Sequence, residues 1–209
     1  MIGFSGWRYS FHVVKVQGPQ KTQSGVGPTD AVLVLAGRSG EAWATEALFR
    51  RHARMANGLA FRLLGRDSDV DDLVQESFAQ AFSGLDRLKE PQAFASWLGA
   101  IVVRTAHKMI RRRRLMARLG FDRGALAIDL DALVGPQVPA DDAIDLRRVY
   151  ALVEKLPANV RIPLVLRRVE GLALDEIAKL VGASLATVKR RIDEGERQLR
   201  DRFENPKVQ

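Results

Sequence analysis

The sequence predicts an all-α protein: two small helical domains joined by a flexible acidic linker, the second a helix-turn-helix domain. Three observations carry this expectation. Apolar residues recur at three- and four-residue steps through successive segments. Between residues 119 and 140 that period is lost in a stretch rich in Gly, Pro and Asp. Late in the chain, two short helical patterns flank a glycine-containing turn.

The totals set the bounds. The chain's 209 residues give room for one large domain or two small ones. Hydrophobic residues at 46% and charged residues at 28% describe an ordinary globular protein. Lys and Arg number 33 against 25 Asp and Glu, a formal charge of +8. That excess favours nucleic acid, an anionic membrane surface or an acidic protein as partner. Cysteine is absent, which excludes disulfides, cysteine zinc sites and thiol nucleophiles. His12, His52 and His107 are too scattered for a metal cluster, and no cofactor is expected. No apolar run approaches the ~20 residues of a bilayer span, so no membrane insertion is expected. The opening MIGFSGWRYSFHVVKV lacks a basic n-region and a long h-region, and a cytoplasmic location is expected.

Residues 1–29 hold scattered Gly and Pro without a period and read as a poorly ordered extension. A first domain is expected over 30–118. AVLVLAG forms a short apolar helix or turn, broken by Ser39-Gly40. The next helix places Trp43, Ala47, Leu48, Met55, Leu59, Leu63 and Leu64 inward, and Gly65 closes it as a left-handed cap. Ser68 and Asp71 then form a capping-box signature, with Asp69, Asp71 and Asp72 in the first turn, where the helix dipole favours anions. Val70, Leu73, Val74, Ser77, Ala81 and Phe82 face inward, which leaves Asp69, Asp72, Gln75 and Glu76 as an exposed acidic ridge. On residue type alone this ridge is helix-start charge and solvation. Asp67-x-Asp69-x-Asp71 is not a calcium loop: Asp72 stands where glycine is needed and Phe78 where glutamate is needed.

Gly84 and Glu90-Pro91 lead into Pro91–Arg114, which contains no carboxylate. Leu98, Ile101, Val102, Thr105 and Met109 trace a buried face, and Arg104, His107, Lys108 and Arg111 fall opposite. Phe94 and Trp97 precede these cations, an arrangement suited to unstacked bases on a single strand. A basic solvated helix whose Trp97 belongs to the core has the same pattern.

The linker follows at 119–140, and from Leu119 to Asp145 six aspartates face Arg123 alone. The second domain spans 141–204. DAIDLRRVYALVEKL ends before Pro157, and the helix after it carries Pro163 in its first turns, where proline is tolerated. LALDEIAKL, the turn Val181-Gly182-Ala183 and LATVKRRIDEGERQLRDRF complete a helix-turn-helix, its core supplied by Ile177, Ala178, Leu180, Val188 and Ile192. Ser184 caps the last helix, and Thr187, Lys189, Arg190 and Arg191 lie at the end that enters a major groove. Residues 205–209 form a tail.

In this order, LFRRHA (48–53), DVDDLVQESFAQAF (69–82), AFASWLGAIVVRTAHKMIRRRR (93–114) and LVEKLPANVRIPLVLRRVEGLALDEIAKLVGASLATVKRR (152–191) resemble a bacterial RNA polymerase sigma factor of the ECF (extracytoplasmic-function) group of the sigma-70 family. The likeness covers about residues 30–203 apart from the linker. It implies a non-enzymatic initiation subunit whose partners are core RNA polymerase and promoter DNA. The implied polymerase-binding residues are Asp69, Asp72, Leu73, Gln75 and Glu76. Those implied to hold the downstream (−10) element as single strand are Trp97, Arg104, Lys108, Arg111 and Arg112. Those implied to read the upstream (−35) element as duplex are Ser184, Thr187, Lys189, Arg190 and Arg191. The linker is implied to run through the polymerase cleft. Control is expected from a separate protein such as an anti-sigma factor.

Three departures stand out. Thr105 follows Arg104 where the family often has Asn, and Ala173 stands where Ser or Thr commonly caps. Asp193, Glu194 and Glu196 interrupt the basic run, with Gly195 among them at a cost of about 1 kcal/mol relative to Ala. Acids near phosphates are expected to weaken the upstream contact. Two other classes compete. A stand-alone helix-turn-helix regulator has no need of an acidic ridge followed by an aromatic-basic helix. A nuclease needs carboxylates converging on a metal beside the basic surface, and the most cationic helix has none.

Overall fold

The computed structural model describes residues 27–65, 67–120 and 148–204, without the side chains of Asp67, Ser68 and Glu204. The expected N-terminal extension up to residue 26, the Ser68 cap, most of the linker and the tail lie outside them. Helix is the only extended regular structure among the described residues, and these residues divide into two units, with the break between Met109 and Ile110.

In the first unit, α1 (Asp30–Arg38) starts where the Thr29 hydroxyl accepts the Val32 N–H at 3.4 Å, and it fully buries Leu33 and Val34. Helix α2 (Ala42–Leu64) ends at Gly65, whose φ of 68° lets its N–H reach the Phe61 carbonyl at 2.7 Å. The buried seam of α2 runs Ala44, Leu48, His52, Ala56, Leu59, Ala60, Leu63 and Leu64. That is a rotation from the expected face: Trp43 is 50% exposed, and Ala47 and Met55 are half-buried. Three alanines line the close approach, while the indole stays at the rim, where its N–H donates to Glu41 Oε2 at 3.2 Å.

Helix α3 (Asp67–Ser83) buries Val70, Leu73, Val74, Ser77, Phe78 and Ala81. The buried Ser77 hydroxyl is satisfied by donating to the Leu73 carbonyl at 2.7 Å. Phe82, expected inside, is half-buried, and Phe78 takes its place with ring centroids 4.7 Å from Phe49 and 5.6 Å from Phe82. Two 3-10 turns, Leu85–Arg87 and Pro91–Ala93, lead to α4 (Phe94–Arg118). The Arg38 guanidinium ties α1 to the first turn by donating to the Leu85 and Leu88 carbonyls. Helix α4 buries Phe94, Leu98, Ile101, Val102, Val103, Thr105, Ala106 and Ile110, while Met109 is only half-buried. The Thr105 hydroxyl is buried without a hydrogen-bond partner, a burden of about 1–3 kcal/mol.

One polar cluster pins α1 to α2. Asp30 accepts from Arg51 Nη1 at 2.7 Å and from His52 Nε2 at 2.9 Å. The His52 ring also lies 5.3 Å from Phe94. Burial dominates its titration and lowers its pKa below the ordinary 6.5; Asp30 pulls it back up, and Arg51 opposes Asp30.

The second unit contains the last turns of α4, a helical segment at 148–154, and α5 (Ala158–Arg168), α6 (Leu174–Val181) and α7 (Leu185–Glu204). Arg113 Nη2 donates to Glu154 Oε1 at 3.1 Å and Arg114 Nη2 to the Lys155 carbonyl at 3.0 Å. Helix α5 is buried almost all round, from Val160 through Leu166. Pro163 sits in its second turn, within the first turns where it was expected. Ile177, Val188 and Ile192 fill the helix-turn-helix core, joined by Leu199, whereas Ala178 and Leu180 are half-buried.

Gly195 has a packing role that outweighs its poor helix propensity. A Cβ there would sit 3.0 Å from Val160 Cγ1 and 3.1 Å from Leu164 Cδ2, so its absence lets α7 lie close on α5. One residue on, Glu196 accepts from Arg168 Nε at 2.7 Å and clamps the same crossing. Ala173 offers no side-chain acceptor, so only half a capping box forms: Glu176 Oε2 accepts the Ala173 N–H at 2.7 Å.

Three outcomes are expected. Gly195→Ala gains about 1 kcal/mol of helix propensity but overpacks α5, for a net loss of about 1 kcal/mol in urea unfolding followed by circular dichroism. Ala173→Ser completes the box and raises stability by about 1 kcal/mol in the same assay. For His52 the folded-state pKa is depressed, so the unfolded chain takes up the proton first. Its contribution is therefore intact above pH 6.5 and lost as pH falls toward the folded-state value. Tryptophan fluorescence should show the first unit's urea midpoint falling between pH 7.5 and 5.5, less steeply in His52→Gln.

Candidate functional site

Three surfaces hold the residues singled out in the sequence. On α3, Asp72, Gln75 and Glu76 are exposed and Asp69 is half-buried. The helix carries no Lys or Arg, so the ridge is not neutralised from within. Gln80 Nε2 donates to Glu76 Oε1 at 2.7 Å and steadies that carboxylate. Leu73 corrects one expectation. It has no exposed surface, because the step that puts Asp72 and Glu76 outside turns Leu73 into the core. It anchors the ridge from beneath and offers no contact. Among the described residues no group of three or more His, Asp or Glu could hold a metal ion.

On α4, Arg104, Lys108, Arg111 and Arg112 are all exposed. Their spacing draws a stripe about 12 Å long. None of the four has an ion-pair partner among the described residues, whereas Arg113 and Arg114 are half-buried and engaged as above. His107, expected on this face, is half-buried. The two aromatics part company. Phe94 has no exposed surface, so it belongs to the core and cannot stack on a base. Trp97 is half-buried, its ring edge 3.6 Å from the position of a Cβ on Gly84 and its centroid 6.1 Å from that of Phe94. One side of the indole is held, and part of its surface stays open.

On α7, the turn after α6 is made by Gly182 at φ 63° and ψ 42°, whose N–H donates to the Ala178 carbonyl. Ser184 then caps: its hydroxyl oxygen accepts the Thr187 N–H at 3.2 Å and lies 2.8 Å from Thr187 Oγ1. Ser184, Lys189 and Arg190 are exposed, while Thr187 and Arg191 are half-buried. Of the acids expected to disturb this end, Glu196 is tied to Arg168, and Glu194 accepts from Gln198 Nε2 at 3.0 Å. Of these acids only Asp193 is exposed. Leu185 was not singled out in the sequence and is 50% exposed beside exposed Ala186. Its spacing from Val188 and Ile192 reads as core, and only the structure shows it at the surface.

No described helix is long and apolar enough to cross a membrane. Family models match both halves: Sigma-70 region 2 over residues 48–115 and Sigma-70, region 4 over residues 146–199. The ECF RNA polymerase sigma factor SigE of Mycolicibacterium smegmatis is 34% identical over 166 residues, which cover 75% of this chain and 60% of that one. The ECF RNA polymerase sigma-E factor of Salmonella typhimurium is 31% identical over 178 residues, covering 78% of this chain and 88% of that one. Among solved structures, CnrH in complex with the cytosolic domain of CnrY aligns with a TM-score of 0.53 at 28% identity, covering 84% of this chain and 97% of that one. RpoE of Bartonella quintana, in complex with the anti-sigma factor NepR, shares the fold with a TM-score of 0.55 at 18% identity, covering 76% and 96%. With both regions matched in order, the chain belongs to the sigma-70 family of RNA polymerase sigma factors, in the ECF group, and is a transcription initiation factor that directs the polymerase to promoters.

Proposed function

We propose that the three surfaces divide promoter recognition among them. Asp69, Asp72, Gln75 and Glu76 seat the chain on core RNA polymerase, with Leu73 fixing α3 from inside. Trp97, Arg104, Lys108, Arg111 and Arg112 hold the −10 element as single strand: the cations take phosphates and the open side of the indole takes a base. Ser184, Thr187, Lys189, Arg190 and Arg191 present the −35 element to α7 as duplex, with Ser184 and Thr187 acting mainly by building the helix start. In domain terms, 30–118 binds polymerase and the −10 element, 119–140 tethers, and 141–204 reads the −35 element.

The observation that carries this assignment is the sorting of charge. Asp72 and Glu76 stand exposed on α3, a helix with no Lys or Arg of its own, and a cationic stripe without a carboxylate sits on the exposed face of α4. A single partner of either sign cannot use both. A polymerase with bound promoter offers a protein surface and a polyanion together. The protein then works in the cytoplasm and catalyses no reaction of its own. One solved neighbour was captured with an anti-sigma factor, and control of this chain by a protein that covers one of these surfaces follows the same logic.

Charge reversal tests the assignment. Asp72→Lys with Glu76→Lys should lower transcription from purified core polymerase by at least about ten-fold and abolish co-purification, with the circular dichroism spectrum unchanged. Arg111→Ala with Arg112→Ala should keep co-purification and lose promoter opening. Undiminished transcription by the first variant, or tight sequence-selective promoter binding by the wild-type chain without polymerase, defeats the assignment.

A further inference from the structure

The leading end of α7 shows two kinds of exposed side chain. Lys189 and Arg190 are cations, while Leu185 and Ala186 are apolar. The hydroxyls between them are occupied, since Ser184 and Thr187 bond each other and close the cap. Hydrogen bonding to base edges and phosphates therefore falls mainly to the cations Lys189, Arg190 and Arg191, and Leu185 has no polar atom to offer. Leu185 is also not a core residue that strays outward: it is 50% exposed, where Val188 is 0% and Ile192 5% exposed. It is the first helical residue after the cap, on the turn that enters a major groove in this motif. The apolar feature in that groove is the thymine C5-methyl, which distinguishes thymine from cytosine by contact alone.

We propose that Leu185, with Ala186 beside it, is a specificity-determining residue that packs on a thymine methyl group of the upstream element. The proposal rests on the assignment of α7 to that element. Lys189 and Arg190 bring phosphates and guanine edges to the helix, and Leu185 selects thymine at the adjoining position. Withdrawing one methyl-sized group from water gives about a four-fold preference, enough to shape a consensus without dominating affinity.

The test uses the full chain assembled with purified core polymerase. Transcription from a promoter library randomised in the upstream element identifies the preferred sequence. Each thymine on either strand is then replaced in turn by deoxyuridine, which lacks only the methyl. About a four-fold loss is expected at one or two adjacent thymines. That response should disappear in Leu185→Ser and shrink in Leu185→Ala. The ratio is taken within each variant, so partial loss of folded protein cancels. A preferred element without thymine, no response to deoxyuridine, or an unchanged response in Leu185→Ser overturns the proposal. So does a Leu185→Ser defect equal on every library member, which would place the leucine against polymerase instead. Indifference to randomising the upstream element is a separate result, and it would remove the assignment of α7 itself.

Discussion

The function depends on helices that cannot rotate. A cation placed on a helix face is useful only if the opposite face is fixed, and in α4 Leu98, Ile101, Val102, Val103, Ala106 and Ile110 do the fixing. Each such side chain contributes about 1.5–3 kcal/mol when fully buried. A charge contact at the surface is worth a fraction of that, so the apolar seam decides where Arg104, Lys108, Arg111 and Arg112 point. Leu73 does the same for the ridge on α3: the acidic residues are displayed because one leucine between them is fully buried.

On the proposed assignment, the two surfaces given to DNA are each weak on their own. A short cationic stripe binds any nucleic acid, loosely and with strong salt dependence. On the same assignment, the start of α7 adds a few base contacts, each of a kind worth about 1–3 kcal/mol. Neither selects a promoter alone. Carried on one polymerase, the second contact becomes intramolecular, and correct spacing between the two elements is read along with their sequence.

Much of this organisation was legible in the sequence, and the failures have physical causes. Helical period found the apolar stripe of α4, and turn chemistry found Gly65 and Gly182, both in the left-handed conformation. What periodicity cannot weigh is size against space. It put Trp43 inside because tryptophan is apolar, whereas the buried seam of α2 runs one position on, through Ala44, Leu48 and His52. It grouped Phe94 with Trp97 because both are aromatic; their burial differs because one starts the helix over the His52 ring and the other lies at the rim over Gly84. The bond from His52 to Asp30 joins residues of two helices, and no local pattern announces it.

The last helix shows why a departure from a family pattern need not weaken function. Gly195 and Glu196 look like defects in a basic recognition helix when only one dimension is visible. In space they lie in the half of α7 that crosses α5, where the missing Cβ admits Val160 and Leu164 and the carboxylate meets Arg168. The residues exposed at the start, Ser184, Leu185, Ala186, Lys189 and Arg190, are left free of those duties. A helix of 20 residues can thus be divided, its first two turns chosen for what they touch outside and the remainder for how closely it packs. On that division most of the acidic interruption belongs to the scaffold, and Asp193 is the one exposed carboxylate of the three.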